Sequence, residues 1–164
     1  MTSTERSLLI NRIKSSIRQK FDISKYSDGY IRNNTNCYAY SIGSTVCNMD
    51  LYRIGAISGK KPLEEEFYSI GEVKGLFYSD LETLGIKFEP SSEEEVINEN
   101  QYKIALFVKE YANGGIYGFH FLRFQNGIWS EKFGKQLPNE VGKTLKGVYN
   151  YFPWKLVGIV KITM

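Results

Sequence analysis

Cys37 and His120 are the residues whose types can do covalent chemistry together, because the chain holds one histidine and two cysteines. A thiol attacks a carbonyl as its thiolate, and both a helix N-terminus and a neighbouring imidazolium favour that form. Asn36 is a favoured N-cap residue, so a helix is expected to begin at Cys37 and run to about Val46. That helix end presents free backbone N–H groups, the Cys37 N–H included, which can hold the oxyanion of a tetrahedral intermediate. Cys47 falls near the C-terminal end of the expected helix, where the dipole disfavours a thiolate. On one helix the two cysteines would stand about 15 Å apart, too far for a disulfide. One His and two Cys do not supply the four ligands of a structural zinc site, so neither a metal nor a cofactor is expected.

His120 lies in an expected strand, Phe119-His120-Phe121, that leads into a hairpin. A lone histidine in an arbitrary sequence is usually satisfied in a core. A cysteine at a helix start followed by a histidine on a later strand is, however, the chain order that cysteine hydrolases need. The hairpin also points to a third residue. If Asn126-Gly127 is a two-residue turn, Gln125 pairs with Ile128, Phe124 with Trp129, Leu122 with Glu131 and His120 with Phe133. Glu131 then shares a sheet face with His120 as its diagonal neighbour, in reach of the imidazole Nδ1. There it can orient the ring and stabilise the imidazolium. A one-residue slip would bring Ser130 or Lys132 over instead, and a two-residue dyad is the remaining alternative.

The elements that must position these residues follow from patterning. Thr2 and Glu5 have capping-box spacing, and Leu9, Ile10, Ile13, Ile17 and Phe21 recur at helical spacing, so residues 4–20 read as an amphipathic helix. Asp22 to Asn36 reads as loop, and Cys47 to Phe67 as a long loop. Ser69 with Glu72, and Gly85 beyond, bracket a helix over 70–84 with Val73, Leu76, Phe77, Leu81 and Leu84 inward. Ile86–Glu89 is a short strand, and Ser92 with Glu93, Glu94 and Glu95 opens a short helix. Strands follow at Lys103–Tyr111, Ile116–Gln125, Ile128–Phe133 and Trp154–Thr163, with loop or weak helix over 134–150. Helices first and strands later imply an α+β fold, a single domain over 1–164, with the cysteine-bearing helix packed on an antiparallel sheet.

Composition narrows the class. A chain of 164 residues suits one domain with a real core. Twelve Tyr and ten Phe suit strands and half-buried surfaces. A net charge of +3 is too small to argue for nucleic acid. No run approaches the roughly 18 apolar residues of a membrane span. The N-terminus lacks the apolar core of a signal peptide, so a cytoplasmic location is the default, with export lacking a visible leader left open. A monomer is expected.

Three segments carry a family likeness: Asn36-Cys37-Tyr38-Ala39-Tyr40, then Gly118 to Phe124 around His120, then Asn126-Gly127-Ile128-Trp129-Ser130-Glu131-Lys132. Together they resemble the papain-like cysteine peptidase and amidase superfamily, in particular small bacterial and phage members of the NlpC/P60 and CHAP kind. The resemblance implies a nucleophile helix packed on a sheet that carries the base. It implies hydrolysis of an amide bond in a peptide, a peptidoglycan-like polymer or a target protein. Cys37 matches the nucleophile and His120 the base, and the third polar position falls near Glu131. Asn36, Tyr38 and Trp129 are the candidate oxyanion or substrate-binding side chains. The chain departs from papain in having no Gln shortly before Cys37; Asn33, Asn34 and Asn36 are the substitutes, and Asn36 is also a cap. Two rival readings use the same residues. One is a binding protein on a papain-like fold, presenting Tyr26, Tyr30, Tyr38, Tyr40, Trp129 and Phe133. The other is a Cys–His acyltransferase.

Overall fold

The structure, a computed structural model, describes residues 1–60 and 68–164. Part of the expected 47–67 loop, residues 61–67, lies outside the described residues. Helix α1 spans Ser3–Ile17 and opens with a complete capping box. The Thr2 hydroxyl accepts from the Glu5 N–H at 3.1 Å, and the Glu5 carboxylate accepts from the Thr2 N–H at 3.0 Å. Ile10 and Ile13 form its buried face.

The stretch 22–36 is not plain loop. A 3₁₀ turn, Ile23–Ser27, and helix α2, Gly29–Asn34, lie within it. The Asp22 and Asp28 carboxylates cap the two by accepting from backbone N–H groups. Both elements are too short to show a hydrophobic period, so only their caps were legible.

Helix α3 begins at the candidate nucleophile and spans Cys37–Ile42, ending four residues short of Val46. Gly43 stops it by taking φ 77°, where glycine is unstrained, and the Ser44 N–H reaches back to the Ala39 carbonyl at 2.9 Å. Cys47 therefore lies outside the helix.

Helix α4, Ile70–Thr83, begins at its expected Ser69 cap and buries Val73, Phe77 and Leu81. Asp80 points the same way as these apolar residues. Its carboxylate accepts from the Tyr38 hydroxyl at 2.9 Å and from the Gly55 and Ser58 N–H groups, both at 2.7 Å. This carboxylate joins α3, α4 and the 55–58 turn in one buried knot. Asp80→Ala strands three donors, so it is expected to cost about 3 kcal/mol, whereas Tyr38→Phe costs about 1 kcal/mol. Urea denaturation of the two variants measures the difference.

Six strands follow: β1 Lys87–Ser91, β2 Gln101–Glu110, β3 Ile116–Gln125, β4 Ile128–Glu131, β5 Asn139–Gly142 and β6 Trp154–Thr163. They form one antiparallel sheet in the order β1-β6-β2-β3-β4-β5. The fold is thus α+β, as the element order implied. Ile104, Leu106 and Val108 turn toward the helices, while Ala105 and Phe107 turn to the other face with Leu122 and Trp129. Both faces are covered, which is why β2 reads as a continuous apolar run.

Two expectations fail here. Residues 92–95 form no helix, because the carbonyls of Ser92, Glu93 and Glu95 turn onto the buried Lys103 ammonium instead of onto later N–H groups. The stretch 134–150 holds β5, a short and partly exposed edge strand with no alternation to betray it. Among the described residues no helix is long and apolar enough to cross a membrane.

Candidate active site

Asn36 builds the Cys37 end of α3. Its Oδ1 accepts from the Tyr38 N–H at 3.0 Å and the Ala39 N–H at 3.1 Å, so the cap takes the second and third N–H groups of the helix and not that of Cys37. Its Nδ2 donates to the Tyr52 carbonyl at 2.9 Å. Two further contacts lock the helix to the sheet. The Tyr40 and Ser130 hydroxyls lie 2.6 Å apart, joining α3 to β4. Buried Arg123 on β3 donates to the Ser41 carbonyl at 2.8 Å. Its guanidinium is sandwiched between the Phe21 and Tyr102 rings, 3.9 and 3.6 Å from their centroids. Stacking on both faces explains how an obligatory cation is held in this interior.

The hairpin has the register that a two-residue Asn-Gly turn dictates, with Gln125 opposite Ile128, Phe124 opposite Trp129 and Leu122 opposite Glu131. Asn126 and Gly127 both have positive φ, 55° and 80°, as such a turn requires. The β3–β4 ladder stops at Glu131, so on that side His120 lies just past the end of β4, while on the other side it is paired with Phe107 of β2. There the Glu131 Oε2 and His120 Nε2 stand 2.7 Å apart. The ring nitrogen on the carboxylate is therefore Nε2 and not the expected Nδ1. Nδ1 is the ring nitrogen that Glu131 does not use, and Cys37 acts on the imidazole by hydrogen bonding and charge.

A residue from the 134–153 stretch completes the cluster. The Tyr149 hydroxyl donates to Glu131 Oε2 at 2.9 Å. The Tyr149 ring stands 5.2 Å from that of His120, beside Phe133 at 4.6 Å and Trp154 at 6.1 Å. His120 is 2 % exposed and Cys37 6 %. Burial pulls the imidazole's pKa down, but Cys37 and Glu131 outweigh it and lift it to about 9. Burial likewise pushes the Glu131 carboxyl up, and the hydrogen bonds from His120 and Tyr149 outweigh it and hold the pKa below its ordinary value. The arrangement favours the charged imidazolium at neutral pH.

Of the expected site residues, Cys37, His120 and Glu131 come together. Tyr38 and Trp129 do not join them at an accessible surface. Tyr38 is fully buried with its hydroxyl committed to Asp80, and Trp129, on the same sheet face as His120 and Glu131, is buried against Phe124. Asn36 has both side-chain polar atoms engaged, so its role is the cap. Asn34 donates to the Tyr30 carbonyl inside α2, and Asn33 is exposed on the same helix. Cys47 is held back by burial and by nearby Asp28, which raise its pKa, and not by a helix C-terminus. Tyr149 escaped sequence reasoning because its segment has no period. Trp154, opening the expected last strand, carried a signal that alternation along β6 could have supplied.

Among the described residues no group of three His, Cys, Asp or Glu side chains gathers as metal ligands. A groove of about 810 Å³ between the start of α4 and the β2–β3 turn is lined by Tyr68, Ser69, Glu72 and residues 111–115. It contains no histidine or cysteine and carries no nucleophilic chemistry. Compared with protein-family models, curated proteins and solved structures, the chain matches none of them.

Proposed function

We propose that this chain is a papain-like cysteine hydrolase that cleaves an amide bond in a peptide, a peptidoglycan-like polymer or a target protein. The observation that carries the reading is the Glu131–His120 contact of 2.7 Å, beside a Cys37 that acts on the same imidazole by hydrogen bonding and charge. In the proposed reaction the charged form of His120 is the one that holds the proton given up by the Cys37 thiol, so the pair enters as thiolate and imidazolium. The sulfur attacks the amide carbonyl, and the Cys37 N–H holds the resulting oxyanion. His120 returns its proton to the leaving amine as the C–N bond breaks. Water, deprotonated by His120, then attacks the thioester and frees the carboxylic acid and the thiol. Glu131, fixed by Tyr149, keeps the ring aimed and favours its charged form.

Thiol alkylation tests the reading without a known substrate. Near neutral pH iodoacetamide is expected to modify Cys37 at least about tenfold faster than Cys47, read by peptide mass. Equal rates, or a faster Cys47, would sink the proposal. The deep burial of both members favours a second reading, a binding protein whose Cys37 and His120 are structural. In that case Cys37 would resist the reagent until the protein unfolds.

A further inference from the structure

The largest feature beside the site that the proposed reaction leaves unused is the Lys132 side chain. Its ammonium is fully buried where β4 leaves the sheet, one residue past Glu131. It donates to three backbone carbonyls, those of Arg32 and Thr35 at 2.6 Å and Gly134 at 2.5 Å. Arg32 lies in the last turn of α2, where carbonyls have no helical partner, and Thr35 stands two residues before Cys37. One cation thus ties the segment that delivers the nucleophile to the segment that delivers Glu131.

We infer that Lys132 is a positioning residue of the proposed hydrolase, holding the Cys37 segment against the His120–Glu131 strand pair and placing a second positive charge toward the Cys37 sulfur. This rests on the cysteine-hydrolase reading. A plain C-terminal cap for α2 would need no buried charge, since water serves exposed carbonyls well. Burying an ammonium is costly unless it is fully hydrogen-bonded or paired with an anion. Here the three carbonyls use all three of its protons. Burial pulls the ammonium's pKa down to about 8, and Cys37 pushes against that shift. The other charged or titratable groups around the pair are His120 on β3, Glu131 on β4, Arg32 on α2 and the Tyr149 hydroxyl. Arg32 opposes the ammonium's charge, while Cys37 favours it alongside the three carbonyls.

Interaction between two titrating groups is reciprocal, which supplies two independent readouts. In the full-length protein, Lys132→Met is expected to move the pH profile of Cys37 alkylation upward by about one pH unit, the effect of losing one nearby opposite charge. The Cys47 profile should stay in place, with the fold checked by circular dichroism. A merely structural lysine would lower stability and leave the Cys37 profile where it was, and that result would overturn the inference. Should Lys132→Met not fold, the Lys132 side chain is titrated by ¹³C NMR in wild type and in Cys37→Ala. Its midpoint is expected to fall by about one pH unit when the thiol is removed. An unchanged midpoint would overturn the inference. Failure of the hydrolase reading looks different: Cys37 of the wild type would then alkylate no faster than Cys47, whatever stands at 132.

Discussion

Cys37→Ala is expected to lose at least about 10⁴-fold in turnover, and His120→Gln about as much, with the double variant no worse than either. The equality follows from the chemistry. A thiol without its base seldom holds the thiolate and has no proton to give the leaving amine. An imidazole without its thiol has no nucleophile to serve. Glu131→Gln should cost less, because His120 and its remaining neighbours still deliver the ring. The measurement uses peptide and peptidoglycan-fragment pools, with newly released amines read by mass spectrometry. Activity retained in Cys37→Ala would end the proposal, and so would strictly additive losses in the double variant.

The pH dependence of stability carries the second large effect. The folded imidazole has a pKa of about 9 against an ordinary 6.5, so its contribution is complete below 6.5 and disappears as pH rises through 9. Glu131 is shifted the other way, and its contribution is lost as pH falls below the ordinary carboxylate range. Between pH 7 and 9.5 the histidine therefore removes about 2–3 kcal/mol. Lys132 works against this. Its folded pKa of about 8 lies below the ordinary 10.5, so the unfolded chain binds that proton more tightly and stability grows with pH through that range. The net curve of the wild type is correspondingly flat. The histidine's share is isolated by subtracting the curve of His120→Gln, measured by urea denaturation at each pH. Relative to that variant, the wild type is expected to lose about 2–3 kcal/mol on going from pH 7 to 9.5. Parallel curves would mean that the imidazole is not held charged in the fold.

The parts of the fold legible in the sequence are those set by contacts a few residues apart. The Thr2–Glu5 box, the Ser69 cap and the Asn126-Gly127 turn each form from neighbours in the chain, and each lies where its residues predict. The turn then fixes the β3–β4 register by counting, and so brings Glu131 to His120 before any long-range contact is known. The end of α3 was legible too, in Gly43, whose left-handed conformation closes the helix. The helix expected at 92–95 failed for the opposite reason. Its capping residues are sound locally, and a buried ammonium from β2 outbids them for the carbonyls.

What tertiary structure alone decided is how the buried polar groups are satisfied. Lys132 meets the carbonyls of Thr35 and Arg32 across 97 and 100 positions of sequence, and Asp80 meets Tyr38 across 42. No spacing rule reaches that far, because an ammonium can donate to, and a carboxylate accept from, any suitably aimed group the fold brings to it. Tyr149 reached the Glu131 carboxylate in the same way, from a stretch without period. Residue types in the chain were enough to single out Cys37 and His120 as the candidate pair, since a single histidine leaves no other imidazole. The groups that hold and charge the pair were chosen by packing, where desolvation makes every unpaired polar atom costly and so dictates its partner.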